Sequence, residues 1–206
     1  MPINLKTRNC LLTISDAEFS IGTEVLLYSF LKYNPEFDGD IVVICDDLPE
    51  SHRNRLSGIV PLRFESPDPR LRAAVDKLRE KEPRLQDIYR RLFSLEVFRF
   101  SSYQRVVYLD SDIYCCGDLS ELFTASEPLL ACPDGFAYGD RVRALLSQED
   151  DSEHAERYGS RPNDSFNAGV LSIGDVLLGD DVYESLLKLL DHATWKSFGP
   201  SKFTDQ

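Results

Sequence analysis

A short apolar run that stops at two carboxylates constrains the fold more than any other feature of the sequence. The run from Val106 to Leu109 is rich in β-branched and aromatic residues and predicts a buried strand. It ends in Asp110-Ser111-Asp112, and two carboxylates at such a position are costly unless another charge balances them. Because open parallel sheets bind ligands at the carboxyl ends of their strands, the pattern predicts a divalent cation bridged to a phosphate there.

The same two aspartates also fit a simpler interpretation, in which they cap the turn that follows the strand. The apolar run before them and the organisation of the rest of the chain favour the ligand-binding interpretation. Strands and helices are predicted to alternate, which indicates an α/β fold with a mainly parallel sheet flanked by helices. Strands are predicted over residues 9–14, 40–45, 60–64 and 129–132, and helices over 18–33, 50–56, 71–82, 84–100 and 182–190, with one helical turn over 118–123.

Length and charge narrow the class of protein. The 206 residues suit a single α/β domain covering 1–206, in which the polar segment 135–163 is predicted to be a surface excursion. The formal net charge of −12 argues against a nucleic-acid partner. No apolar run is long enough to predict a membrane span. The odd count of five cysteines suggests free thiols in a reducing compartment, so we expect a cytoplasmic protein, or one peripheral at a membrane.

Three motifs in order carry a resemblance to a known family. They are the strand ending in Asp110-Ser111-Asp112 and running into GDLSELF (117–123), the segment FNAGV (166–170), and the final Asp205-Gln206. Together they resemble the glycogenin-like retaining glycosyltransferases of family 8, and the resemblance covers nearly the whole chain. It implies a GT-A fold, which is Rossmann-like, and transfer of a hexose from a UDP-sugar to a saccharide, lipid-linked or protein acceptor. The sequence does not indicate the oligomeric state.

The resemblance also implies roles for individual residues. Asp110 and Asp112 would coordinate Mn²⁺ (or Mg²⁺), which holds the diphosphate of the UDP-sugar, and the main chain of Ser111 would lie near the ribose. The other implied contacts are Thr13, Ser15 and Phe19 with the nucleotide, Asn167, Ala168 and Gly169 with the sugar, and Asp205 and Gln206 as catalytic residues at the reacting centre.

Two departures from the family pattern concern charge at the site. The family carries a lysine before the Asp-x-Asp strand, and Ser94 stands at that place, with Arg90 or Arg91 one turn earlier as candidate replacements. A histidine metal ligand and a glycine–lysine stretch follow the Asp-Gln motif in the family. We therefore expect this chain to be truncated after Gln206 or to be a naturally shortened relative, with weak binding of manganese alone.

Two other functions fit parts of the pattern. Phosphatases of the haloacid dehalogenase class also place Asp-x-Asp after an apolar strand, with the first aspartate as nucleophile. Those enzymes begin with the motif, whereas here about half of the chain precedes it and Tyr114 replaces an expected threonine or valine. A non-catalytic relative that binds nucleotide sugars is the third hypothesis.

Overall fold

The structure is a computed structural model that describes residues 8–81, 89–133 and 166–192. Its strands are β1 (Asn9–Ser15), β2 (Asp40–Cys45), β3 (Arg63–Glu65), β4 (Arg105–Leu109), β5 (Leu129–Pro133) and β6 (Phe166–Gly174). Its α-helices are α1 (Ser20–Tyr33), α2 (Glu50–Ser57), α3 (Pro69–Lys81), α4 (Ser120–Thr124) and α5 (Asp180–His192). A long 3₁₀ helix covers Tyr89–Arg99, and a short one covers Asp175–Leu177.

The six strands form one mixed sheet in the order β3-β2-β1-β4-β6-β5. Strand β1 pairs in parallel with both β2 and β4, and β2 pairs in parallel with β3. Strand β6 runs antiparallel to β4 and to β5. The carboxyl ends of β1, β2 and β4 therefore meet the amino end of β6 at one edge. This arrangement confirms the predicted α/β fold with a mainly parallel sheet and flanking helices.

Both faces of the sheet are covered, because successive side chains of a strand point to opposite faces. Leu11 packs with Phe30 of α1 and Leu56 of α2 on one face. Leu12, the next residue, packs on the other face with Val97 of the long 3₁₀ helix. A further apolar cluster joins α3 and α5 to that 3₁₀ helix through Leu71, Val75, Leu78, Leu92, Phe93, Tyr183 and Leu187. Because both faces are covered, the ends of the strands are the places left for a cleft.

Two predicted elements differ in the structure. The third strand occupies Arg63–Glu65 instead of 60–64, in keeping with the missing N–H of Pro61, which cannot contribute to a strand ladder. The helix predicted over 84–100 is a 3₁₀ helix over Tyr89–Arg99 within the described part of the chain. Its buried residues, which include Leu92, Phe93 and Val97, face the core. The excursion predicted over 135–163 lies outside the described residues. No helix among the described residues has the length and apolar character needed to cross a membrane.

Candidate active site

A cleft opens at the edge where β1, β4 and β6 meet. Its volume is about 270 Å³, close to the lower limit of roughly 300 Å³ that is usual for small-molecule sites. It is lined by Ile14, Ser15, Asp16, Phe19, Arg90, Arg91, Tyr108, Asp110, Ser111, Asp112, Asn167 and Ala168. We call Tyr108, Asp110, Ser111 and Asp112 the β4 wall, and Asp16, Phe19 and Arg90 the β1 wall. The cleft thus brings together residues from four separate parts of the sequence.

Asp110 is held by its neighbours on the β4 wall. The hydroxyl of Tyr108 donates to Asp110 Oδ1 at 2.5 Å, and the Asp110 N–H donates to the Gly169 carbonyl at 2.9 Å. A Cβ atom added to Gly169 would lie 2.7 Å from Asp110 Oδ2, so only glycine leaves room for the carboxylate. Main chain, side chain and steric contact together fix the place of the first carboxylate at the end of β4.

The rest of the Asp-x-Asp turn is more open, and it rests on α1. Asp112 is exposed, and Ser111 is half-buried. Gly22 of α1 lies directly beneath the turn, because a Cβ atom added to it would lie 2.6 Å from the Ser111 carbonyl oxygen. The main chain of the turn therefore approaches the helix closely, while Asp112 is among the residues that line the cleft.

The amino end of β6 closes the cleft opposite the β1 wall. The Asn167 side-chain carbonyl accepts a hydrogen bond from the Gly169 N–H at 2.7 Å, which fixes the orientation of the amide. The amide nitrogen of Asn167 is then turned away from that contact. Ala168 lines the cleft and is nearly buried, and Gly169 supports Asp110 from behind.

The residues predicted to contact the nucleotide occupy different places. Phe19 lines the cleft with 44% of its surface exposed, so its ring is available to a ligand. Ser15 lines the cleft too, and its hydroxyl accepts a hydrogen bond from Thr23 at 2.7 Å. Thr13 is fully buried and does not line the cleft, and its hydroxyl has no hydrogen-bond partner among the described residues.

The β1 wall is held by charge. Asp16 pairs with Arg90, which also reaches Asp47 at 3.3 Å. Burial of the Arg90 guanidinium disfavours its charged form, but the attraction of Asp16, together with contacts to Tyr89 and the attraction of Asp47, outweighs burial and raises the pKa of Arg90. Ser94 is buried and does not line the cleft, whereas Arg90 and Arg91 both do.

The structure therefore gathers seven of the predicted site residues in one cleft, and two others do not line it. The seven are Ser15, Phe19, Asp110, Ser111, Asp112, Asn167 and Ala168, and the two are Thr13 and Gly169. Asp205 and Gln206 lie outside the described residues. Asp16 and Tyr108 were not singled out from the sequence. Asp16 directly follows the first strand, as Asp110 follows β4. This position at a strand end could have identified Asp16 as a candidate site residue.

The chemistry of the site suits a hard divalent cation. Asp110 and Asp112 both line the cleft and carry carboxylate oxygens. Mn²⁺ and Mg²⁺ prefer oxygen ligands of this kind. Within residues 8–81, 89–133 and 166–192, no group of three or more histidine, cysteine, aspartate or glutamate side chains is arranged to hold a metal.

A family model matches most of the sequence. The model described as Glycosyl transferase family 8 matches residues 10–175, which include β1, β4 and the amino end of β6. A search of curated protein sequences gave no match.

Solved structures with the same fold belong to glycosyltransferases. The galactosyltransferase LgtC in complex with donor and acceptor sugar analogs has a TM-score of 0.55 and 16% identity over 88% of this chain and 66% of its own. The mannosyltransferase Ktr4p from S. cerevisiae has a TM-score of 0.61 and 12% identity over 100% of this chain and 65% of its own. The core-mannan synthase A from Aspergillus fumigatus, in its Mn/GDP form, has a TM-score of 0.54 and 11% identity over 91% of this chain and 65% of its own. The chain thus spans slightly less than two thirds of the length of these enzymes.

Proposed function

The chain belongs to glycosyl transferase family 8, and we propose that it transfers a hexose, with retention of configuration, from a UDP-sugar to a saccharide, lipid-linked or protein acceptor. The observation that carries this proposal is the cleft itself. It places Phe19, Asp110, Asp112 and Asn167 around one space, at the edge where an α/β sheet binds its ligands. Family membership also removes the phosphatase alternative, since that alternative depended on the Asp-x-Asp motif alone.

The β4 wall is proposed to receive the diphosphate. Asp110 and Asp112 would hold Mn²⁺ or Mg²⁺, which when bound offsets the charge that develops on the diphosphate leaving group. Tyr108 keeps Asp110 in place by donating to one of its oxygens, so the carboxylate needs little reorganisation when the donor arrives. The Mn/GDP form of the Aspergillus structure supports a metal at a related fold.

The remaining cleft residues are proposed to bind the two ends of the donor. The exposed ring of Phe19 offers a flat apolar face to the base, and stacking of this kind tolerates different bases. The Ser15 hydroxyl is held by Thr23 and has a lone pair left to accept a hydrogen bond from the nucleotide. Asn167 turns its amide nitrogen away from Gly169, so it can donate to a sugar hydroxyl.

Binding and turnover test the proposal in two steps. Calorimetry of the wild-type chain with UDP, with and without Mn²⁺, is expected to show binding that is much tighter when the metal is present. GDP is the comparison nucleotide, because one structural neighbour was captured with it. Absence of UDP binding under both conditions would contradict the proposed function.

The second step follows the fate of the donor. Incubation with UDP-glucose and UDP-galactose is expected to release UDP, slowly when water accepts the hexose and faster when an added acceptor does. In the reaction without acceptor, proton NMR recorded before the anomers of the free sugar equilibrate shows its anomeric configuration. The proposal requires the same configuration as in the donor. Metal-dependent UDP binding without any release or transfer would identify the chain as the non-catalytic relative instead.

A further inference from the structure

Arg90 ties together two loops that are distant in sequence. Its Nη1 pairs with Asp16, in the loop that follows β1. Its Nη2 lies 3.3 Å from Asp47, in the loop that follows β2. The guanidinium thus spans two neighbouring loops at the carboxyl edge of the sheet, and both contacts lie beside the cleft.

Asp16 links Arg90 to the main chain at Phe19. One oxygen of Asp16, Oδ1, accepts hydrogen bonds from the N–H groups of Glu18 and Phe19, each at 2.8 Å. The other oxygen, Oδ2, pairs with Arg90. The Asp16 side chain is only 6% exposed, so its charge depends on these donors and on the Arg90 cation. Arg90, Asp16 and the main chain at Phe19 form a continuous chain of contacts.

We propose that Arg90 is a positioning residue for the base of the donor, and that it fixes the Phe19 ring through Asp16. The inference rests on the proposed function, since it names the uracil of UDP as the group placed against that ring. A ring held by a fixed main chain binds a base with less loss of freedom than a mobile one. Loss of Arg90 removes the balancing charge from Asp16 and leaves the turn that carries Phe19 less constrained.

The arrangement of Arg90 argues against a direct role in holding the diphosphate. Both of its terminal nitrogens contact carboxylates, and its Nε is buried with no hydrogen-bond partner among the described residues. A phosphate at a terminal nitrogen would have to compete with Asp16 and Asp47 for the charge of the guanidinium. The two roles can be told apart by affinity measurements. Loss of a residue that positions the base lowers the affinity for uridine and for UDP alike, whereas loss of a residue that binds phosphate lowers the affinity for UDP alone.

Calorimetry with uridine and with UDP plus Mn²⁺ tests the inference on four proteins. Arg90→Met and Asp16→Asn are each expected to lower the affinity for uridine and the affinity for UDP by the same factor, about tenfold. Asp16→Asn keeps an oxygen for the two N–H donors and removes the charge that Arg90 needs. Arg90→Lys, which keeps the charge but loses the planar fork, is expected to recover part of the affinity. Arg55→Met is the matched control, because Arg55 pairs with Glu24 outside the cleft, and it is expected to bind like the wild type.

The outcomes separate the inference from the proposed function. Thermal unfolding of each variant is recorded, and the affinity of Mn²⁺ alone is expected to stay unchanged, which a general loss of structure would not allow. Loss of UDP affinity with uridine affinity intact would overturn the inference in favour of a phosphate ligand. Wild-type affinity of Arg90→Met for both ligands would also overturn it. Failure of the wild-type chain to bind UDP would overturn the proposed function, and this inference with it.

Discussion

The two walls of the cleft are held in different ways. On the β4 wall, Asp110 is fixed by a tyrosine hydroxyl, by a main-chain hydrogen bond and by the close approach that Gly169 allows. Gly22 allows a similar approach of α1 to the main chain of Ser111. On the β1 wall, the turn that carries Phe19 depends on a nearly buried carboxylate paired with a cation. The first wall relies on volume and short-range contact, and the second relies on charge.

This difference suits what each wall is proposed to bind. A wall that places two carboxylates near a cation gains from rigid support, since a misplaced ligand oxygen weakens the whole site. A wall that offers a ring to a flat base needs that ring held in place, although the stacking itself tolerates different bases. Substitutions that change volume are therefore expected to damage the β4 wall most, and substitutions that change charge without changing shape are expected to damage the β1 wall. The carboxylates that bind the metal are the exception.

Asp112→Asn is expected to have the largest effect. It keeps the shape of the side chain and removes the charge that balances a bound cation, so metal-dependent UDP affinity is expected to fall on the order of 100-fold. The side chain is exposed, and stability is expected to change by less than about 0.5 kcal/mol. Calorimetry with UDP and Mn²⁺ measures the first effect, and thermal unfolding measures the second. Equal UDP affinity in variant and wild type would remove Asp112 from the site.

Gly22→Ala tests the steric support of the Asp-x-Asp turn. Alanine favours a helix by about 1 kcal/mol over glycine, but its Cβ would lie 2.6 Å from the Ser111 carbonyl oxygen, and main-chain displacement of this kind costs about 1–3 kcal/mol. We expect no net gain in stability and a fall of about tenfold in metal-dependent UDP affinity.

Gly117→Ala is the matched control for that substitution. A Cβ atom added to Gly117 would meet no heavy atom within 4 Å in the described part of the chain. It lies in the same loop as the Asp-x-Asp turn, so it tests whether any glycine-to-alanine change there has the same effect. A gain in stability for Gly22→Ala with unchanged UDP affinity would show that α1 does not support the turn.

Parts of this site were predictable from the sequence and other parts were not. The apolar run before Asp110 identified a central strand and its carboxylates, because a buried strand that ends in charge has few explanations. Two contacts join residues that are far apart in the chain, so no local sequence pattern predicts them. They are the contact of Gly22 with Ser111 and the pairing of Asp16 with Arg90. The antiparallel direction of β6 was equally hidden, since the alternation of strands and helices describes only the parallel part of the sheet.

Tyr108→Phe isolates one hydrogen bond on the β4 wall. The substitution removes the hydroxyl that donates to Asp110 Oδ1 and leaves the buried ring in place. A hydrogen bond to a charged group contributes about 1.5–3 kcal/mol, part of which the bound metal replaces, so metal-dependent UDP affinity is expected to fall by about fivefold. Titration of Mn²⁺ in the presence of UDP, followed by electron paramagnetic resonance, measures this loss. Uridine affinity is the internal control and is expected to stay at the wild-type value, because the β1 wall is untouched.

Asp47→Asn is expected to have the smallest effect, and it separates the two partners of Arg90. The Asp47 side chain is 56% exposed and its contact with Arg90 is 3.3 Å long, whereas Asp16 is nearly buried and holds the turn itself. Exposed ion pairs contribute up to about 1 kcal/mol and weaken as salt screens them, so uridine affinity is expected to fall no more than about threefold, and by less at high salt. Calorimetry with uridine at low and high NaCl measures both effects. A loss as large as that of Asp16→Asn, and one that salt does not diminish, would show that the β1 wall depends on both carboxylates and that Arg90 needs two anchors to hold Phe19.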